Sequence, residues 1–389
     1  MSPLSNAFLR ADQLNAGEMF FPLRTHVCHK CFLVQLQEYE SPEAIFSDYL
    51  YFSSYSDSWL LHAREFAAWS KGQFNLGDKT LVVEIASNDG YLLQYFRDMD
   101  IPVLGIEPAA NVAAVAEKKG IPTLVRFFGT ALAEELVASG RKANMIVGNN
   151  VLAHVPSIND FVRGMKLLLA DDGIISMEFP HLLQLVEQNQ FDTIYHEHFS
   201  YISLYAVERI FSSHGLRIFE VSELKTHGGS LRILATHDEN SLYPTRISVG
   251  ALRGREEQAG LLSLSTYAAF SEKVRRAKRD LLTFLIGAKN SGKSIAAYGA
   301  AAKGNTLLNF CGIGTDFIDY VADVSPHKQG MYLPGTHISI VPPQRVFDTK
   351  PDYLLILPWN LRKEVIEQMS AIRNWGGKFI IPIPKLEIV

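Results

Sequence analysis

Residues 191–203 read FDTIYHEHFSYIS and set His196, Glu197 and His198 beside Tyr195, in a chain with 12 histidines in all. Two imidazoles flanking a carboxylate can bind a metal ion, move protons near neutral pH, or bond the carbonyls of an irregular loop without doing any chemistry. The metal reading is the weaker one, because no histidine or carboxylate set at a recognised ligand spacing supplies the remaining positions. Proton transfer and a structural loop remain, and the surrounding elements must decide between them.

A second group of candidates stands in TLVVEIASNDGYLLQYF. An apolar run carries Glu84. Small Ala86 and Ser87, turn-prone Asn88 and Asp89, and Gly90 then make a tight loop before Tyr91. The loop lacks the G-x-G-x-x-G that brings a pyrophosphate to a helix N-terminus, so a dinucleotide is disfavoured. A further run ends at Glu107 in GIEP, where a carboxylate can accept hydrogen bonds from both hydroxyls of a ribose, and another ends at Asn149 and Asn150. Acidic and amide groups with no phosphate cradle suit an adenosine carrying an amino-acid tail. The plainer reading is that Glu107 caps the next helix and the asparagines make turns.

These side chains need a scaffold. From Thr80 the runs TLVVEIA, VLGIEP, PTLVRFF, NMIVGNN and GIISMEFP alternate with the amphipathic stretches GYLLQYFRD, NVAAVAEKKG, TALAEELVAS and INDFVRGMKLLLA. The alternation predicts a parallel sheet covered on both faces, with ligands off the carboxyl ends of its strands. LRIFEVSEL and GSLRILATH, joined by KTHG, predict an antiparallel hairpin that closes the sheet. This α/β arrangement is associated, by fold analogy, with class I S-adenosylmethionine-dependent methyltransferases. A charged helical connector follows. SIAAYGA, DFIDYVADV, ISIVPP, DYLLILPW and KFIIPIP then predict a smaller Rossmann-like domain. The expected divisions are an aromatic-rich N-terminal region at 1–75, a cofactor-binding domain at 76–240, a connector at 241–288 and a C-terminal α/β domain at 289–389.

With 37 Lys and Arg against 41 Asp and Glu, the chain lacks the basic excess that nucleic-acid binding requires. No apolar run reaches the roughly 18 residues needed to span a bilayer, and no basic start leads into an apolar core. A cytoplasmic enzyme is expected. Of three cysteines, Cys28 and Cys31 form a C-x-x-C that can grip one side of a tetrahedral zinc ion, but no second pair stands in the chain; two reduced thiols are the other reading.

The runs EIASNDGYLL, GIEP, NNVLAHV, EFPHLL, FDTIYHEHFSYIS and HGGSLRI together resemble the sugar C-methyltransferase family, over nearly the whole chain. The resemblance implies a zinc-binding N-terminal domain, a central S-adenosylmethionine-binding domain and a C-terminal α/β domain. Family members carry an earlier C-x-x-C that completes a four-cysteine site with the pair matching Cys28 and Cys31; that earlier pair is missing here. The implied partner is a nucleotide-linked 4-keto-deoxysugar, methylated at C3 beside the ketone.

A carbon beside a ketone becomes nucleophilic when a base removes its proton while donors stabilise the enolate oxygen. His198 matches the family's general base, and an imidazole with an unperturbed pKa of about 6.5 suits that task. Tyr195 and His196 are the expected donors, and Glu197 the group that orients an imidazole or a sugar hydroxyl. Tyr49, Tyr51 and Tyr55, His181, and Gly228, Gly229 and Ser230 of HGGS are the expected substrate-side groups, with Lys303 in YGAAAKGNT as a phosphate contact. Two rivals stand beside this reading: a nicotinamide-dependent nucleotide-sugar oxidoreductase, which the missing glycine fingerprints disfavour, and a non-catalytic protein that binds the same ligands.

Overall fold

Val82–Ile85 (β1) is buried at all four positions, as a central strand covered on both faces must be. It pairs in parallel with Val103–Ile106 (β2) on one side and with Ala143–Asn149 (β4) on the other. Thr123–Leu124 (β3) extends the sheet beyond β2, and Leu169–Pro180 (β5) extends it beyond β4. Leu216–Leu224 (β6) and Ser230–His237 (β7) form the antiparallel hairpin, with β7 inserted next to β5. The order is β3-β2-β1-β4-β5-β7-β6, so the chain order reverses between β1 and β4, and in open α/β sheets ligands bind off the carboxyl ends of the strands at such a point.

The structure, a computed structural model, describes residues 1–46 and 52–389. Tyr49 and Tyr51 therefore lie outside the described residues. The chain divides into two compact units. One comprises Val27–His181 and Phe199–Leu262 and holds the seven-stranded sheet; the other comprises Met1–His26, Leu182–His198 and Ser263–Val389.

In the first unit, helix Asp57–Gln73 (α1) starts at Ser56, whose hydroxyl accepts the Trp59 amide. Helix Leu204–Ser212 (α2) starts at Ser203, whose hydroxyl accepts the Ala206 amide. The Leu204 and Tyr205 amides are taken by the carboxylate of Glu256, on helix Ile247–Gln258 (α3). An acid at a helix N-terminus satisfies donors that have no intrahelical acceptor.

The second unit is built on a six-stranded sheet. Ile295–Tyr298 (β8), Val321–Ala322 (β9), Ile340–Val341 (β10), Tyr353–Ile356 (β11) and Lys378–Ile381 (β12) run parallel, and Glu387–Ile388 (β13) is antiparallel. The order is β10-β9-β8-β11-β12-β13. The run DFIDYVADV contributes only its Val321–Ala322 portion as strand.

The histidine-bearing segment groups with the C-terminal residues, although in sequence it stands inside the 76–240 stretch. Three contacts explain the grouping. Phe191 is buried in the core of the second sheet, Asp192 is bonded to Trp359, and Asn6 is bonded to Glu197. The first 26 residues are drawn in likewise, with Asn305 Nδ2 donating to the Ser5 carbonyl at 2.6 Å.

Candidate active site

Three residues of the loop after β1 lie in left-handed backbone: Ala86 at φ 57°, Asn88 at 49° and Gly90 at 75°. Such conformations persist only where the surroundings hold them, and they concentrate at ligand-binding loops. At Gly90 a Cβ would come within 3.0 Å of the Ile121 side chain, so space as well as φ demands glycine there. The Glu107 carboxylate accepts the Asn88 amide and the Ala109 amide, both at 2.9 Å. Burial raises its pKa while these two amides oppose the rise. Glu107 thus ties the loop to the following helix, and each oxygen keeps a second lone pair for a ligand hydroxyl. Lys119 Nζ bonds the Asp89 carbonyl and the Ser54 hydroxyl at 2.8 Å, while Asn88 Oδ1 accepts the Ser53 amide at 2.9 Å.

Inside this mouth several buried acceptors have no hydrogen-bond partner among the described residues. They are both oxygens of Glu84, Asp89 Oδ1, Asn149 Oδ1 and Asn150 Oδ1, together with the Ser87 hydroxyl. Buried polar atoms are ordinarily satisfied, so a cluster of acceptors at the ends of two neighbouring strands, β1 and β4, fits a ligand rich in donors and carrying a cation. The α-ammonium and ribose hydroxyls of S-adenosylmethionine have that character. Asn149 Nδ2 donates to the Tyr91 hydroxyl at 3.1 Å, and Tyr91 stacks on Trp59 with ring centroids 5.8 Å apart.

Burial pushes Glu84 well above the usual carboxylate range; the Tyr91 hydroxyl opposes the rise and the Glu107 and Asp89 charges add to it. A raised folded-state pKa favours the protonated form. Its stabilising contribution is complete below about pH 4.3 and is lost as pH rises through the folded value. Glu84→Gln is therefore expected to raise the melting temperature of the ligand-free chain at pH 8 and to weaken S-adenosylhomocysteine binding about tenfold, the cost of one lost hydrogen bond to a charged group. Melting curves and calorimetry test this, and unchanged affinity would contradict the placement.

The histidine segment has its own bonding. His198 Nδ1 lies 2.8 Å from the Thr193 carbonyl. A carbonyl oxygen only accepts, so Nδ1 carries the proton and Nε2 holds the lone pair. The Tyr195 ring packs on His198 at 4.2 Å between centroids. His196 Nε2 donates to the Pro22 carbonyl at 3.3 Å, and burial lowers its pKa. The Glu197 Oε1 atom accepts from Asn6 Nδ2 at 2.6 Å, and burial lifts this carboxyl to about 7 against that hydrogen bond.

Of the expected substrate-side groups, His181 is fully buried, with Nε2 2.7 Å from Glu256 Oε1 and its amide donating to the Gly229 carbonyl. Gly228 and Gly229 have φ 93° and 120°, a reversal that side chains disfavour, and the Ser230 hydroxyl bonds the Thr226 carbonyl. Tyr55 is 76% exposed. Lys303 Nζ donates to Asn360 Oδ1 at 2.8 Å and lies 4.9 Å from the Trp359 ring centroid; burial lowers its pKa and Asp192 opposes this.

Sequence reasoning missed Asn6, Lys119, Asp192 and Trp359, and it missed the buried Glu178. The Glu178 Oε2 atom is 2.9 Å from both His62 Nε2 and Arg232 Nη2, and Oε1 accepts the Thr226 hydroxyl at 2.8 Å. Only the pairing of Glu178 with Arg232 across β5 and β7 carries a local signal, opposite charges on neighbouring strands.

The sheet order matches the one expected, by fold analogy, for class I S-adenosylmethionine-dependent methyltransferases, with acceptors at the ends of β1, β2 and β4. A family model described as a methyltransferase domain matches residues 59–221, and one described as a C-methyltransferase C-terminal domain matches residues 225–384. A third, described as "Putative zinc binding domain", matches residues 1–46. C-methyltransferase NovU of Streptomyces niveus is 35% identical over 388 residues, covering 100% of this chain and 92% of that relative. Among solved structures, the S-adenosylmethionine-bound magnesium protoporphyrin IX methyltransferase of Synechocystis PCC 6803 is 15% identical, with a TM-score of 0.36 over 46% of this chain and 79% of that one. The chain belongs to the C-methyltransferase family.

S-adenosylmethionine supplies an electrophilic sulfonium methyl. The zinc site that the N-terminal match implies does not fit the donors present. Cys28 and Cys31 are free thiols, and among the described residues no group of three or more His, Cys, Asp or Glu side chains could hold a metal. No helix among the described residues is long and apolar enough to cross a membrane.

Proposed function

We propose that the enzyme methylates C3 of a nucleotide-linked 4-keto-deoxysugar, with His198 removing the proton beside the ketone. The observation that carries this reading is the 2.8 Å contact from His198 Nδ1 to the Thr193 carbonyl, which leaves Nε2 as the basic nitrogen. A base held in one tautomer loses no free energy to selecting it at the moment of reaction. After proton abstraction the imidazole is a cation, and the Thr193 carbonyl continues to accept its Nδ1–H. The Glu197 carboxyl, near half-protonated at neutral pH, can donate a hydrogen bond toward the enolate oxygen, and the Tyr195 hydroxyl supplies another donor of the same kind. Glu84, Asn88, Glu107 and Asn149 hold the methyl donor in this reading. The full cofactor set also takes in Ala86, Ser87, Asp89, Gly90, Tyr91 and Asn150.

The substrate is tested by incubating the enzyme with a panel of nucleotide-linked keto and non-keto deoxysugars and labelled S-adenosylmethionine, with mass spectrometry of the products. One methyl on carbon is expected with the 4-keto compounds alone. Methylation on oxygen, or equal turnover of the non-keto compounds, would contradict the proposal.

A further inference from the structure

The single turn Phe191–Thr193 sets the position of the Thr193 carbonyl, and through it the proton on His198. Its own bonding is thin. The Thr193 amide and hydroxyl both bond the Gln190 carbonyl, at 3.1 and 2.7 Å, and the Ile194 amide bonds the Phe191 carbonyl at 3.1 Å. Hydrogen bonds in a 3₁₀ turn have poorer geometry than those of an α-helix, so contacts from outside the turn help to fix the direction of its carbonyl.

The support comes from the C-terminal sheet of the same unit. Phe191 packs against Phe310 with ring centroids 5.3 Å apart, and Asp192 is fully buried with its Oδ2 accepting the Trp359 indole N–H at 2.7 Å. Trp359 stands just beyond the carboxyl end of β11 and is itself buried. A carboxyl in such surroundings is a poor source of stability, because its desolvation opposes the bonds it makes. It does fix direction, since the rigid indole presents one donor on one line. Among the described residues, the ionisable groups that interact with Asp192 are Lys303 and Cys311, on helix Ala302–Cys311.

We propose that Asp192 and Trp359 are positioning residues for His198, holding the turn whose carbonyl keeps the proton on Nδ1 and the lone pair on Nε2. The inference rests on the reading of His198 as the base, and it gives the C-terminal sheet a part in the reaction.

The test compares Trp359→Phe, Asp192→Ala, Asp192→Asn and His198→Ala in the full-length enzyme. Methyl transfer, KM for the keto sugar nucleotide, S-adenosylhomocysteine affinity and melting temperature are measured, with ¹⁵N NMR of the histidine rings. Trp359→Phe and Asp192→Ala are expected to lower kcat roughly 10- to 100-fold, the scale of a misplaced reacting group, with KM and S-adenosylhomocysteine affinity unchanged. Their His198 signals should shift from a single Nδ1–H tautomer to a mixture. Asp192→Asn keeps an acceptor for the indole and should restore near wild-type kcat.

If Trp359→Phe and Asp192→Ala keep wild-type kcat and the wild-type His198 signal while His198→Ala is inactive, the positioning role is overturned and the base stands. If His198→Ala itself transfers methyl at the wild-type rate, the base reading fails first. A fall in kcat that only tracks loss of folded protein, with Asp192→Asn no better than Asp192→Ala, also overturns the proposal.

Discussion

Replacing His198 by alanine should lower kcat for methyl transfer by about 10²- to 10⁴-fold, the range over which a positioned general base acts, while S-adenosylhomocysteine binds as before. The separation follows from where the groups sit. The residues proposed to hold the methyl donor, Glu84, Glu107 and Asn149, belong to the unit holding the seven-stranded sheet, and His198 belongs to the other. Alanine removes the imidazole and leaves the Thr193 carbonyl without its partner, a modest loss in a segment still tied by Asp192 and Glu197. Calorimetry with S-adenosylhomocysteine and steady-state rates on the same preparation check both halves. A parallel loss of binding would mean that the substitution has disturbed the fold instead of the chemistry.

The largest effect on stability should come from Glu178→Ala, expected to cost about 3–5 kcal/mol, the penalty for removing one partner of a buried ion pair. Arg232 and His62 both face this carboxylate, with side chains 12% and 19% exposed, and Arg232 would remain buried with no counter-charge. Burial alone would raise Glu178, yet the His62 hydrogen bond and the Arg232 charge outweigh it and hold the carboxyl below its usual range. A depressed folded-state pKa contributes stability that is present above the unfolded value of about 4.3 and is lost as pH falls through the folded value. Denaturant unfolding at pH 7 and at pH 3 should therefore show a large gap between wild type and Glu178→Ala at the higher pH and a smaller one at the lower. Equal gaps would mean that packing, and not charge, dominates there. Glu178 also accepts the Asn150 amide through its carbonyl, at 2.7 Å, which ties β5 to the carboxyl end of β4.

Much of the first unit could be read along the chain, because its signals are local. TLVVEIA and NMIVGNN are short runs rich in apolar and β-branched residues and became β1 and β4. The close pair LRIFEVSEL and GSLRILATH became the antiparallel hairpin. Asn88 and Gly90 announced a loop of unusual backbone by type alone, and both have positive φ. Of the two readings weighed for Glu107, the bonds it makes are those of the plainer one: it caps the neighbouring turn and helix.

What escaped the sequence depends on tertiary approach. Asp192 and Trp359 are 167 positions apart, and Asn6 and Glu197 are 191 apart. No period or motif links such pairs, and a lone aspartate after a phenylalanine looks like any turn residue. The cluster of His62, Glu178 and Arg232 joins a helix and two strands, and only the strand pair was within reach of pattern reasoning. The same limit applies to the histidine segment. Its residue types point to proton transfer, but the tautomer of His198 depends on a carbonyl five residues earlier that only a folded turn brings close.

The most direct test of the account is hydrogen exchange at the acceptor carbon without methyl transfer. Wild-type enzyme, saturated with S-adenosylhomocysteine in D₂O, should incorporate deuterium at C3 of the 4-keto sugar nucleotide, read by NMR or mass spectrometry, and His198→Ala should lose that incorporation. Exchange by His198→Ala at the wild-type rate would contradict the assignment of His198 as the base.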